Sequence, residues 1–353
     1  MNSLRILYIG DLGGTCLQRA RALERLGHDV HILSPNRFTT TSRPVCKWIV
    51  ETGGLGFEGY VRRRILAALP QTTFDLVWVD NGALIGPFLV RELQRRYGTV
   101  LNYNLDDPFG SRDRHLWRIY RKAVPLYDLI VVVRQENPAE ARSLGARRVL
   151  KVLRSADEVA HAPRQLDNAD WGRWGSDVIF VGTWMPERGP FMAELARRGV
   201  PLTIYGEYWH RAKEWPVLAR YWRGPGLYQP DDYAKAIQCS KVCLGLLSKE
   251  NRDLHTTRSM EIPHLGGLLC AKRTTEHCLL YKENEEAIFW SNAEECARKC
   301  FQLLSDTELR VGIAARGRNR CISNLTTNER VLSAILHEAL SVHCHFGFSA
   351  RQL

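Results

Sequence analysis

No C-x-x-C pair occurs in the 353 residues, although ten cysteines are present. The closest spacings, Cys239/Cys243 and Cys296/Cys300, put thiols one helical turn apart or along a buried strand. Without histidine or further cysteine at ligand spacing they argue against zinc. Free, mostly buried thiols in a reducing cytoplasm are the expectation, and the Asn324-Leu-Thr326 sequon is read as silent. Long apolar runs are also missing. Asp128-Leu-Ile-Val-Val-Val133 is among the longest, far below the ~20 residues a membrane span requires. The stretch Met1 to Gly10 lacks the basic region, apolar core and small-residue cleavage site of a signal peptide, so export by that route is not expected. Negative charge is short: 38 Asp and Glu face 49 Lys and Arg, a net +11. That balance favours nucleic acid, an anionic membrane surface or phosphorylated ligands, with a solvated basic face as the bland reading.

What is present is ordinary for a globular protein: 45% hydrophobic and 25% charged residues, at a length that predicts about two domains. Apolar strands at Arg5–Ile9, Val30–Leu33, 75–79, 99–103, 128–133 and 148–153 alternate with helical patterns at 17–26, 58–69, 84–97, 113–123 and 136–144. Such alternation predicts a parallel sheet covered on both faces. Residues 155–175 are polar and aperiodic and read as a linker, hence a hinge with few contacts across it. Alternation restarts at Asp177–Val181 and runs into a helical tail ending near His343. Two α/β units facing one another predict a ligand in the cleft between them.

Several motifs lie at the expected strand ends. Gly13 and Gly14 follow the first strand, and bare backbone at a helix amino end can approach a phosphate or sugar closely. That turn lacks G-x-G-x-x-G spacing, and the second strand ends His31-Ile-Leu-Ser-Pro35 without an acid for a ribose. Both points disfavour a nicotinamide or flavin dehydrogenase. Asp106 and Asp107 can serve as a general base, bind substrate hydroxyls or cap a turn. Arg114, Arg118 and Lys122 share one face of the predicted helix, and Arg62-Arg63-Arg64 adds a second basic cluster; the stripe could dock on anionic lipid or an anionic acceptor, but it has no extended apolar face for insertion and reads first as a solvated basic face. Gly182, Thr183 and Arg188 make a plausible diphosphate site at a helix amino end. The richest segment holds Lys249, Asp253, Arg258 and Glu261, with its two acids eight residues apart. They could hold a sugar on one side and a ribose on the other, with Arg258 supplying charge for phosphates.

Thr257-Arg-Ser-Met-Glu-Ile-Pro-His-Leu-Gly-Gly-Leu-Leu269 resembles the "R-x-x-E-I-P-A-C-G-G-F-L-L" signature of CgeB-like glycosyltransferases, a branch of the group 1 transferases. The likeness continues through Ala287–Glu295, Leu309–Arg320, Phe180–Thr183 and Ile204–Gly206. It implies the α/β GT-B fold: two Rossmann-like domains facing across a cleft, with C-terminal helices. Residues 1–160 would form the acceptor domain and 161–353 the donor domain, with the terminal helices returning to the first. The implied activity is transfer from a nucleotide-diphosphate-sugar, bound as substrate with no other cofactor, to a glycan, lipid-linked or small-molecule acceptor. Peripheral contact with an anionic membrane and a cytoplasmic site go with it, and nucleic acid does not. Glu261 matches the second Glu of the E-x7-E motif, which meets the donor ribose, and Asp253 stands one methylene short in the first position. Arg188 matches the diphosphate arginine, but the lysine usually found five residues later is Ala193, for which Lys249 or Arg258 would substitute. No D-x-D triad is present to hold a divalent ion, so arginine, lysine and a helix dipole would neutralise the leaving group. A non-catalytic nucleotide-sugar-binding or assembly protein and a nucleotide-sugar epimerase are the alternatives.

Overall fold

The computed structural model describes residues 2–39 and 43–341. The first sheet contains β1 (Arg5–Ile9), β2 (Asp29–Leu33), β3 (Leu76–Asp80), β4 (Val100–Asn104), β5 (Leu129–Val132) and β6 (Val149–Lys151), in the order β2-β1-β3-β4-β5-β6. The second contains β7 (Ser176–Val181), β8 (Leu202–Tyr205), β9 (Trp222–Gly224), β10 (Ser240–Gly245), β11 (Leu269–Lys272) and β12 (Ile288–Trp290), in the order β12-β11-β10-β7-β8-β9. Every paired strand is parallel. Strands β3, β4 and β5 are buried along their whole length, as helices on both faces require.

Topology places the ligand sites. Counted from its own first strand, the second sheet has the 3-2-1-4-5-6 order of nucleotide-binding folds, with its switch point between β7 and β10. The switch point of the first sheet lies between β1 and β3. Ligands enter such sheets beyond the carboxyl ends of the strands at those points.

One face of the first sheet buries Val61 and Ile65 of the helix Glu58–Ala68 and Leu89, Val90 and Leu93 of the helix Pro87–Tyr97. The other buries Ala20 and Leu23 of the helix Gly14–Arg25, together with Leu332, Ile335, Leu336 and Ala339 of the last helix, Asn328–Leu340. This last described helix therefore packs onto the first domain. Arg25 pairs with Glu329 at 2.6 Å and Asn328 donates to Asp157 at 3.0 Å, which pins that return.

Three expectations need correction. The basic helix over 113–123 forms only at Arg118–Ala123, because residues 112–117 make consecutive turns behind Asp107. Segment 155–175 is tied down: Ala156 exchanges backbone hydrogen bonds with Thr326 and Asn328, and Asp157 is buried. The segment then enters a helix, Asn168–Trp174, with a capping box between Asp167 and Asp170. The third is an omission: β9 and the helix Pro230–Gln238 follow a Trp-Arg-Gly triplet and a Pro-Asp-Asp start that carry little periodic signal. The last helix ends at Leu340, and residues 342 and 343 of the expected tail lie outside the described residues.

Candidate active site

On the second domain, Arg188 opens the helix Arg188–Arg197 directly behind β7. Its guanidinium donates to the carbonyls of Thr183 at 2.7 Å and Leu246 at 3.2 Å, which follow β7 and β10, and it covers the Phe180 ring at 5.6 Å. It thus bridges the switch point. Among the described residues no carboxylate pairs with it, and its buried Nε has no partner. Burial brings its pKa down to about 10, with Glu187 and Asp253 pulling the other way. A buried guanidinium bonded only to carbonyls has its charge uncompensated, the condition an anionic ligand relieves. Beside it, Gly182 is half-buried and Thr183 exposed. Lys249 is exposed, with its backbone N–H on Glu187 at 2.9 Å.

Glu261 is 1% exposed within the helix Arg258–His264. It accepts from Arg258, from the Tyr233 hydroxyl at 3.0 Å, and faces His161 Nε2 at 3.6 Å. Burial alone would raise its pKa, but Arg258 and His161 outweigh it and hold the carboxyl below its usual range. The Arg258 guanidinium also donates to the Val181 carbonyl at 3.2 Å and stacks on Tyr233 at 4.6 Å. It is thereby committed to Glu261 and to the end of β7, whereas the sequence assigns it to the phosphates. Gly266 takes φ +85°, and a Cβ on Gly267 would stand 2.8 Å from Ile237. The Gly-Gly of the signature is thus accounted for by a turn and close packing.

On the first domain, Asp106 accepts from Asn81 Nδ2 at 2.8 Å, and its backbone N–H donates to Asn104 at 2.9 Å. Asn81 stands in the left-handed region at φ 65° immediately after β3. Asp106 is reached by solvent but walled by protein, and that burial raises its pKa against the pull of Arg134 and Arg154. Asp107 does not stand open as a base. It is 6% exposed and bound by Arg252 and by Asn137 Nδ2, and those bonds outweigh burial to hold its carboxyl below the usual range. Gly13 and Gly14 are exposed at the helix start, where a Cβ would meet nothing within 4 Å.

The loop 248–256 is gripped by the first domain. Asp253 accepts from Arg134 at 2.7 Å and Arg154 at 2.9 Å, while both arginines also bind the Leu105 carbonyl. Arg252 spans Asp107 and Glu140, and the buried His255 takes the Arg154 N–H on Nε2 at 3.0 Å. The few-contact hinge is replaced by a charged clasp. Sequence reasoning missed Arg134, Arg154, Asn81 and the buried Arg19–Asp80 pair at 2.6 Å, above which Tyr8 donates to Asp80. The readable signal was a charge directly behind an apolar strand, as in Val133-Arg134 and Asp80. It also missed the meeting of Cys270, Cys296 and Cys300, whose buried thiols lie within 4.8 Å of one another behind β11.

Residues 188–336 match the family described as glycosyl transferase-like. No curated protein matches the chain. Among solved structures it is similar to sucrose-phosphate synthase from Thermosynechococcus elongatus, at 14% identity and a TM-score of 0.67 over 95% of this chain and 99% of that one. HepE from Anabaena, in complex with UDP and glucose, is similar at 13% identity and a TM-score of 0.64 over 96% and 100%. A glycosyltransferase from Rickettsia africae is similar at 13% identity and a TM-score of 0.60 over 97% and 100%. Identities of this order establish the fold, GT-B. The family match lies within the second half of the chain, over the second sheet from β8 onward and the helices that follow it.

Proposed function

We propose that the protein transfers a sugar from a nucleoside-diphosphate donor seated on the second domain to an acceptor entering from the first. The observation that carries this reading is Arg188, a buried cation without a carboxylate partner among the described residues, spanning the switch point between β7 and β10. Its guanidinium and the helix amino end receive the diphosphate. Glu261, preorganised by Arg258, Tyr233 and His161, accepts the ribose hydroxyls. Lys249 lies at the open edge and approaches the phosphates. Asp253 orients the sugar through whichever lone pairs Arg134 and Arg154 leave, and Gly13 and Gly14 let the first domain close on the diphosphate. Asp106 takes the acceptor proton, or positions the acceptor if configuration is retained. Leaving-group charge is met by these cations without a divalent ion. The acceptor is glycan, lipid-linked or small-molecule, reached in the cytoplasm or at the inner membrane face.

The test is product analysis after incubation with UDP-, GDP-, dTDP- and CMP-sugars. Release of nucleoside diphosphate, or of CMP from a CMP-sugar, with free or transferred sugar supports a transferase; turnover of a CMP-sugar alone would contradict the diphosphate donor. Epimerised donor without acceptor would establish an epimerase, and binding with no turnover of any donor would leave a binding protein.

A further inference from the structure

Beside the cleft, three segments of the first domain close against one another. A Cβ on Gly53 would overlap the His115 carbonyl, and Gly54 packs on Leu84 and Ile119. Gly86 lies equally close to Glu58. Residues 43–60, 84–88 and 112–122 therefore share one corner of the domain. From that corner project Trp48, Leu55, Tyr60 and Phe88, exposed 46, 54, 39 and 59%. Trp48 is tied to Leu55 through Nε1–H and the Leu55 carbonyl at 2.9 Å, and Arg62 covers the Phe88 ring at 5.4 Å.

Cations outnumber acids at the corner. Lys47, Arg62, Arg63, Arg64, Arg112, Arg114, Arg118 and Lys122 stand against Glu51, Glu58 and Asp113. Glu51 is taken by Lys47 and Asp113 by Arg112. Among the described residues, Arg62, Arg63, Arg64, Arg114, Arg118 and Lys122 pair with no carboxylate. Arg63, Arg64, Arg114, Arg118 and Lys122 are exposed. Apolar side chains that project singly from separate segments, on the same elements as these cations or the helix Glu58–Ala68 next to them, match an interface of anionic headgroups over acyl chains; Arg62 covers Phe88 and Arg64 covers Phe38.

We propose that this corner docks the protein on an anionic lipid bilayer, with Trp48, Leu55, Tyr60 and Phe88 entering the headgroup region and the arginines meeting lipid phosphates. Arg112 belongs to both regions: it donates to Ser248 Oγ at 3.2 Å and pairs with Glu250 at 3.4 Å across the cleft mouth. Docking here opens the acceptor side of the cleft toward the bilayer and, resting on the transferase reading above, assigns a lipid-linked acceptor.

Vesicle co-sedimentation tests the docking without any turnover. Vesicles of phosphatidylcholine mixed with phosphatidylglycerol should bind the wild type, vesicles of phosphatidylcholine alone should bind it at least about tenfold less, and added salt should release it. The charge reversal Arg63→Glu/Arg64→Glu/Arg118→Glu should lower binding at least about tenfold, and Trp48→Ala/Phe88→Ala should lower it with less change in salt dependence. Melting curves and nucleoside diphosphate binding verify that each variant is folded, and the two variants touch different elements, so loss of one leaves the other to decide. Absence of binding to anionic vesicles would overturn the proposal. So would binding indifferent to both sets of substitutions, or capture of a single-stranded oligonucleotide in place of vesicles. Vesicle binding with no donor turnover would leave the docking standing and remove the transferase reading.

Discussion

The guanidinium of Arg252 lies fork to fork on the carboxylate of Asp107, with Nε to Oδ2 and Nη2 to Oδ1 both at 2.7 Å. One residue comes from each domain, so this pair reports the clasp. Arg252 also takes φ 53°, an unfavourable conformation for a side chain of its size, held by its bonds to Asp107 and Glu140.

Removing that pair should open the molecule. Arg252→Ala leaves Asp107 with Asn137 and the Gly110 backbone N–H and should cost about 1–3 kcal/mol of interdomain stability. Both Asp107 and Glu140 have carboxyls held below their usual range, by Arg252 and Asn137 against burial for Asp107 and chiefly by Arg252 for Glu140. Their contribution is therefore complete above the unfolded carboxylate value and lost as pH falls through the lower folded value. Small-angle scattering should show a larger radius of gyration for the variant near neutrality, and an acid-induced expansion in the wild type that the variant lacks.

Asp106 should govern the acid limb of the pH–rate profile. Burial raises its carboxyl pKa, so the active, deprotonated form is lost at a higher pH than for an ordinary aspartate. Asp106→Asn should lower kcat by roughly 10²–10⁴-fold if it acts as base. Asp107→Asn should instead act mainly through the clasp. Equal kcat for wild type and Asp106→Asn would remove Asp106 from the chemistry.

Glu261→Gln should affect both stability and donor binding. The substitution leaves Arg258 without its anion, which would cost about 3–5 kcal/mol for a fully buried pair. The loss should be smaller here, because 31% of the Arg258 side chain reaches solvent. The Glu261 carboxyl titrates below its usual range because Arg258 and His161 outweigh burial, so its stabilisation is full above the ordinary glutamate value and fades below it. Melting temperatures against pH should show that acid slope in the wild type and a reduced slope in the variant. Weaker donor binding at neutral pH should accompany it.

The architecture was legible because burial on both faces writes itself as continuous apolar strands, as in 129–132 and 76–79. Arg188 and Glu261 stand out in the sequence as candidates through the motifs around them, Gly182-Thr183 ahead of a helix start and the Thr257–Leu269 segment. The clasp does not. Arg134 and Arg154 lie over a hundred residues from Asp253 or nearly so, at separations of 119 and 99, and no local period encodes such a pairing. The same holds for Cys270 with Cys296 and Cys300, which only the packing of the helix Ala293–Ser305 against β11 brings together.

Turnover should survive excess chelator. The expected counter-charges are Arg188 and Lys249, neither of which needs a metal ion to act. Activity assayed in EDTA, with and without added magnesium or manganese, checks this; complete loss restored by the metal would mean that an ion carries the leaving-group charge.

Calorimetric titration of UDP, GDP, dTDP and CMP into the wild type and Arg188→Ala tests the central claim most directly. The account predicts single-site binding of at least one of these nucleotides to the wild type. It predicts that Arg188→Ala weakens this by about 10–150-fold, the equivalent of a charge-assisted hydrogen bond of roughly 1.5–3 kcal/mol. Its melting temperature should stay close to that of the wild type, since the guanidinium is bonded to only two carbonyls. Binding of equal strength in both proteins would contradict the assignment of the switch point between β7 and β10 as the diphosphate site.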